Sequence, residues 1–172
     1  MDIVPTLLAT TYTKQDFQRR LTLLRGYLET IHFTKKKIEI REYLKDQGAS
    51  DADTKALESW KITPTGKFTR TGMYDNLKEL RETVATLPTV ILFLPIVPTP
   101  EISETLGLWV RTHVSKEAMV EFRMEPEAVG GVKVSWNGKL ADYSLSHEFG
   151  SIGQEIRNTI NEFSIKQVRK QL

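Results

Sequence analysis

The chain contains no cysteine. Disulfides, thiolate zinc sites, iron–sulfur clusters and thiol nucleophiles are therefore excluded, and a reducing compartment suits it. Long apolar runs are also missing. The longest, Val90 to Val97 (VILFLPIV), is interrupted by Pro95, whereas a membrane-spanning helix needs about 20 residues. Met1 to Pro5 show neither the basic stretch nor the long apolar core of a secretory signal. Neither charge dominates, with 24 Lys and Arg against 22 Asp and Glu. A balance this close is not a nucleic-acid footprint. His32, His113 and His147 lie far apart, and none has a metal-ligand spacing.

What is present is core material. Of the 172 residues, 40% are hydrophobic and 27% charged. That composition supports a packed core rather than disorder, in one large domain or two small ones. The first half has helical periodicity. Phe17, Leu21, Leu24, Leu28 and Ile31 form one stripe, and Arg19, Arg20, Arg25 and Glu29 are expected to face away from it. A basic helix is expected from Lys36 to Gln47, stopped by Gly48. Ser50 and Asp53 have capping-box-like spacing before Ala56, Leu57 and Trp60. Lys61 to Gly72 reads as a loop. Met73, Leu77, Leu80, Val84 and Leu87 then trace another stripe, closed by Pro88.

After Pro88 the pattern changes. Thr89 to Leu94 is expected to be a strand covered on both faces. Ile102, Leu106, Trp109 and Val110 mark an amphipathic helix. MVEFRM alternates, with Val120, Phe122 and Met124 expected inside and Glu121 and Arg123 outside. VKVSW alternates too, and Asn137-Gly138 is a strong type I′ hairpin signal. A two-residue loop there would pair Trp136 with Lys139, Val134 with Ala141 and Val132 with Tyr143. A last helix would align Ile152, Ile156, Ile160 and Phe163. The fold class is therefore α+β: a helical N-terminal domain over 1–87, then a β-α-β-β-β-α domain over 88–172.

Nothing in this pattern assembles a catalytic constellation. TPTGKFT, Thr63 to Thr69, lacks the first glycine and the preceding strand of a phosphate loop. Gly130-Gly131 precedes a strand where a dinucleotide fingerprint needs a helix. The carboxylates are interleaved with lysines and arginines, as on solvated helix faces. One basic cluster stands out, Lys35-Lys36-Lys37 with Arg41 and Lys45. Its plainest reading is a helix with one basic face. A rival reading makes it the working surface of a small regulatory or nucleic-acid-binding protein.

The most strongly patterned stretch, MEPEAVGGVKVSWNGKLADYSL, resembles the C-terminal signature of the ATP synthase delta subunit family, the relatives of mitochondrial OSCP. The matching positions are Glu125, Gly130, Gly131, Val132, Val134, Gly138, Asp142, Ser144 and Leu145. Asn137 completes the turn beside Gly138. The likeness covers about residues 88 to 150, and over 1–87 it rests on architecture alone. The chain departs from the family pattern at Ala128, at Ser135 and after Ser144, where the usual arginines are missing. These departures mark a divergent member. The resemblance implies a non-catalytic stator subunit without cofactor or metal. Its helical domain would grip N-terminal segments of the alpha subunits, and its C-terminal domain would hold b-type peripheral stalk subunits. It implies no nucleic-acid partner. It also implies a place at the cytoplasmic face of the cell membrane, reached only through the complex.

Overall fold

The computed structural model describes residues 4–34, 38–60, 62, 68–128, 130–145 and 152–153. Five helices come first: α1 (Val4–Thr10), α2 (Lys14–Phe33), α3 (Ile40–Asp46), α4 (Asp51–Ser59) and α5 (Met73–Thr86). Then follow β1 (Thr89–Leu94), α6 (Pro100–His113), β2 (Met119–Met124), β3 (Gly131–Trp136) and β4 (Lys139–Ser144). The mixed α+β class is thus as the sequence implies. Of the last expected helix, only Ile152 and Gly153 lie within the described residues, and both are helical. Ile156, Ile160 and Phe163 lie outside them.

The four strands form one mixed sheet in the order β2-β1-β3-β4. The amide of Met119 donates to the Pro88 carbonyl and that of Glu125 to the Leu94 carbonyl. Both strands advance in the same direction between these bonds, so β1 and β2 run parallel, as a helical crossover requires. β3 runs antiparallel to β1 and to β4. The chain divides into two compact units, Met1–Val90 with Thr99–Glu121, and Ile91–Pro98 with Phe122–Leu172.

The first unit is built on the long α2. Thr13 caps it: its hydroxyl oxygen accepts from the Asp16 amide at 3.0 Å and donates to the Asp16 carboxylate at 2.7 Å. Phe17, Leu21, Leu24 and Leu28 of α2 are buried as their spacing requires. They pack with Leu7, Leu44, Leu57, Trp60, Met73, Leu77, Leu80 and Val84 from the other four helices. Ser50 caps α4, its hydroxyl accepting from the Asp53 amide at 3.1 Å. Leu87 leaves helical angles at φ −66° and ψ 145° before Pro88 and so ends α5.

Arg20 breaks the sequence expectation. It was placed on the outer face with Arg19, Arg25 and Glu29, yet it is only 5% exposed. It sits three residues after Phe17 and four before Leu24, on the apolar stripe itself. Burial is tolerated because its charge is met. Nε donates to Asp53 Oδ1 at 2.9 Å, and Nη1 donates to the Thr10 carbonyl and the Thr11 hydroxyl at 2.7 and 2.8 Å. Arg19 grips the same carboxylate with two donors, at 2.9 and 2.7 Å. Asp53 therefore does not close the capping box; it joins α4 to α2.

α6 corrects the sequence reading as well. Thr99 caps it and Pro100 opens it, a favourable start. Gly107 and Val110 are buried. Ile102 and Trp109, expected inside, are 44% and 52% exposed. The helix lies on its small-residue side because Arg111 holds it there. That guanidinium donates to the carbonyls of Leu8, Thr11 and Ala118. It also lies 4.6 Å from the Tyr12 ring centroid. Burial lowers its pKa from the ordinary value, against the opposing influence of Tyr12.

Along β2, burial follows distance along the strand rather than side. Met119 and Val120 are both buried, whereas Met124, expected inside, is 50% exposed. Met119 belongs to the helical core, and Val120 is bridged in parallel to Thr13. The start of the strand is thus enclosed on both sides. β1 closes one face with Val90 and Leu92, while Ile91 and Phe93 are half-buried, so it is not covered equally on both faces.

Asp53 yields a test. Burial raises its pKa, but hydrogen bonds from Arg19, Arg20 and Ser50 outweigh that and hold it at about 2, below the ordinary 3.8. Its side chain is 3% exposed, so solvent screens the pair little. A depressed folded-state pKa stabilises fully above the unfolded value, and the gain is lost as pH falls toward 2. The gain is about 2 kcal/mol. Chemical denaturation at pH 6 and pH 3 is expected to show that loss, and Asp53→Asn to flatten the pH dependence. The same variant leaves Arg20 buried without a carboxylate and is expected to cost about 3–5 kcal/mol at neutral pH.

Candidate functional site

The signature residues fall on β3, β4 and the segments that enter and leave them. The hairpin has the expected register. Trp136 pairs with Lys139, Val134 with Ala141 and Val132 with Tyr143. Asn137 at φ 49° and Gly138 at φ 73° adopt the left-handed pair of a type I′ turn. Val132, Val134 and Trp136 share a face but are only half-buried, and Tyr143 is 67% exposed. The expected apolar face exists in register and stands partly open.

Gly131 has a different role from Gly138. At φ 82° it starts β3 in a conformation that side chains rarely adopt. A Cβ there would collide with the Tyr143 carbonyl and come within 2.8 Å of Ser144 Cα. The glycine therefore permits the backbone of β4 to close over the start of β3. Beside it, the Gly130 carbonyl accepts from the Leu145 amide at 3.0 Å.

The polar signature residues converge on Lys133, which the sequence pattern did not single out. Its ammonium donates to Glu125 Oε1 at 2.5 Å and lies 3.8 Å from Asp142 Oδ2. The Glu125 hydrogen bond, supported by Asp142 and Glu127, raises the Lys133 pKa despite opposing desolvation. Asp142 Oδ1 accepts from the Ser144 amide at 2.8 Å, and Ser144 is 2% exposed. Glu125, Gly130, Gly131, Asp142 and Ser144 are thus brought together around one lysine and one close backbone approach. Asn137 and Gly138 stand at the other end of the hairpin. The spacing of Glu125 and Asp142 could have pointed to Lys133, since Lys133 pairs directly with Asp142 across the strands.

The remaining sequence candidates are dispersed. His32 Nε2 meets the Phe68 carbonyl at 2.7 Å. His113 stacks on Trp109, and His147 lies outside the described residues. Lys35 to Lys37 and Thr63 to Lys67 also lie outside them. Arg41 is held by Glu58 through two bonds at 2.8 and 3.0 Å, which removes free charge from the basic face. Among the described residues, no group of three or more His, Asp or Glu side chains could hold a metal. No helix of the described residues is long and apolar enough to cross a membrane.

Two concavities occur in the first unit. One, of about 850 Å³, lies where α2, α4 and α6 begin, and Asp16, Asp51, Glu101 and Glu104 are among its lining. The other, of about 420 Å³, is lined by Val4, Leu8, Tyr12, Leu108 and Arg111. Comparison with models of known protein families and with curated proteins returns no match.

The two turn glycines can be ranked. Gly131→Ala meets both strain and collision, whereas Gly138→Ala meets positive φ with nothing within 4 Å. The first is expected to cost about 3 kcal/mol or more and the second about 1 kcal/mol. Urea unfolding of the two variants checks the order, and equal losses would contradict this account of Gly131.

Proposed function

We propose that this chain is a non-catalytic stator subunit of the F-type ATP synthase, a divergent relative of the delta subunit and of OSCP. In this role it links the catalytic alpha/beta head to the peripheral stalk while an ion gradient drives ATP synthesis. One observation carries the reading. The residues that match the family signature are joined in space, with Glu125 and Asp142 on Lys133, and Gly131 beneath Tyr143 and Ser144. Each acts on the geometry of one hairpin, and none is arranged as a nucleophile, base or ligand.

The mechanism is mechanical. Rotation of the central shaft drags on the head, and a stator must pass that torque to the stalk without yielding. A hairpin resists such load when its register cannot slip. A one-residue slip would exchange the two faces of β3 and β4, and the Gly131 approach and the Lys133 pairings both oppose it. The helical unit would take the N-terminal segments of the alpha subunits, and the C-terminal segment would take b-type stalk subunits. The protein would reach the cytoplasmic face of the membrane only as part of that complex. The free-charge argument for nucleic acid is weakened by the Arg41–Glu58 pair.

Isothermal calorimetry tests this directly. The chain is titrated separately with an alpha-subunit N-terminal peptide and with the soluble part of a b-type subunit, both from the same organism. Binding of both, each unaffected by saturation with the other, is expected. Absence of heat with either ligand at high micromolar concentration would sink the proposal.

A further inference from the structure

The apolar residues that α6 keeps out of the core are not scattered. Ile102, Leu106, Trp109 and His113 follow one another by four, three and four residues. This is the spacing of the contact seam between two packed helices. Ile102 and Trp109 are 44% and 52% exposed, Leu106 is half-buried and His113 exposed. Single exposed apolar residues are ordinary on protein surfaces, but a row on one helix face marks an interaction site.

The tryptophan in this row is held in place. The His113 ring stacks on it with centroids 4.8 Å apart and planes 19° from parallel. His113 Nδ1 donates to the Trp109 carbonyl at 2.9 Å. A large aromatic fixed before binding loses little rotational freedom on contact, which suits it to anchor an interface.

Charge says what kind of helix fits. The 850 Å³ cleft opens at the N-terminal end of α6, where Pro100, Glu101 and Glu104 line it. Arg19 and Arg20 are taken up by Asp16 and Asp53. That leaves Asp51, Glu101 and Glu104 facing Lys55 alone, an excess of two negative charges (three less one). We infer that the α6 seam docks one amphipathic helix of the peripheral stalk, with a Lys- or Arg-rich end lying at Glu101 and Glu104. The inference rests on the stator reading and adds to it the surface and the polarity of the contact.

The test uses the full chain, the soluble part of the b-type subunit and the alpha-subunit peptide. Trp109→Glu and Ile102→Glu are expected to weaken stalk binding at least about tenfold, while alpha-peptide binding and melting temperature stay unchanged. Glu101→Lys with Glu104→Lys is expected to weaken it several-fold and to reduce its salt dependence. Trp109→Ala, which adds no charge, serves as the second variant should Trp109→Glu melt early. Stalk binding equal in parent and seam variants would overturn the α6 assignment and leave the stator reading standing. Failure of the parent to bind either ligand would overturn both. A parent dimer that the seam variants abolish, with stalk binding unaltered, would give the face to self-association and overturn the inference.

Discussion

A buried carboxylate shared by two arginines holds the first unit together. Asp53 sits at the start of α4, and Arg19 and Arg20 come from the first turns of α2. Arg20 continues to the Thr10 carbonyl and the Thr11 hydroxyl, where α1 ends. Three chain segments therefore meet on one ion cluster beneath the apolar core. Such a cluster adds little net energy over an apolar substitute, because desolvation offsets attraction. Its effect is on uniqueness. Leucine stripes on α2 and α5 could pack in several rotations, but only one brings both guanidiniums to Asp53.

Arg111 does for α6 what Arg20 does for α2. It has no carboxylate among its hydrogen-bond acceptors and instead meets the carbonyls of Leu8, Thr11 and Ala118. Two of these lie at the C-terminal end of α1, where helix carbonyls lack partners and a cation is favoured. The contact fixes the rotation of α6 about its axis. That choice buries Gly107 and Val110 and turns the larger Ile102 and Trp109 outward. In energetic terms, satisfying a buried guanidinium and three carbonyls outweighs hiding two apolar side chains. The exposed seam is the consequence.

Elements whose burial follows local periodicity were legible in the sequence. The stripes of α2 and α5, the Thr13 and Ser50 region, the stop at Pro88 and the Asn137-Gly138 register all follow from spacing and backbone preference. Failures came where a long-range polar contact overrides the pattern. Arg20 was placed outside because its type is normally exposed, although its position is on the stripe. α6 was rotated wrongly because four apolar residues outweigh one arginine in any pattern count. Met124 was placed inside because alternation does not say where a strand leaves the cover of its neighbours. Lys133 was overlooked because the cation that joins Glu125 to Asp142 lies mid-strand and looks like solvent-facing alternation.

Rigidity at the hairpin and exposure on α6 have different origins, and that difference bears on what the protein can do. The hairpin is fixed by features that tolerate no alternative: a glycine with no room for a Cβ, a two-residue turn and a lysine between two acids. It can bear load but offers little apolar surface to bind, apart from Tyr143 and Leu140. α6 is anchored from behind by Arg111 and presents its larger side chains forward. An anchored helix with an outward tryptophan can accept a partner helix without first rearranging, so binding energy is not spent on ordering the site. A coupling that must transmit torque needs both properties, stiffness within the chain and a preformed contact to the next one.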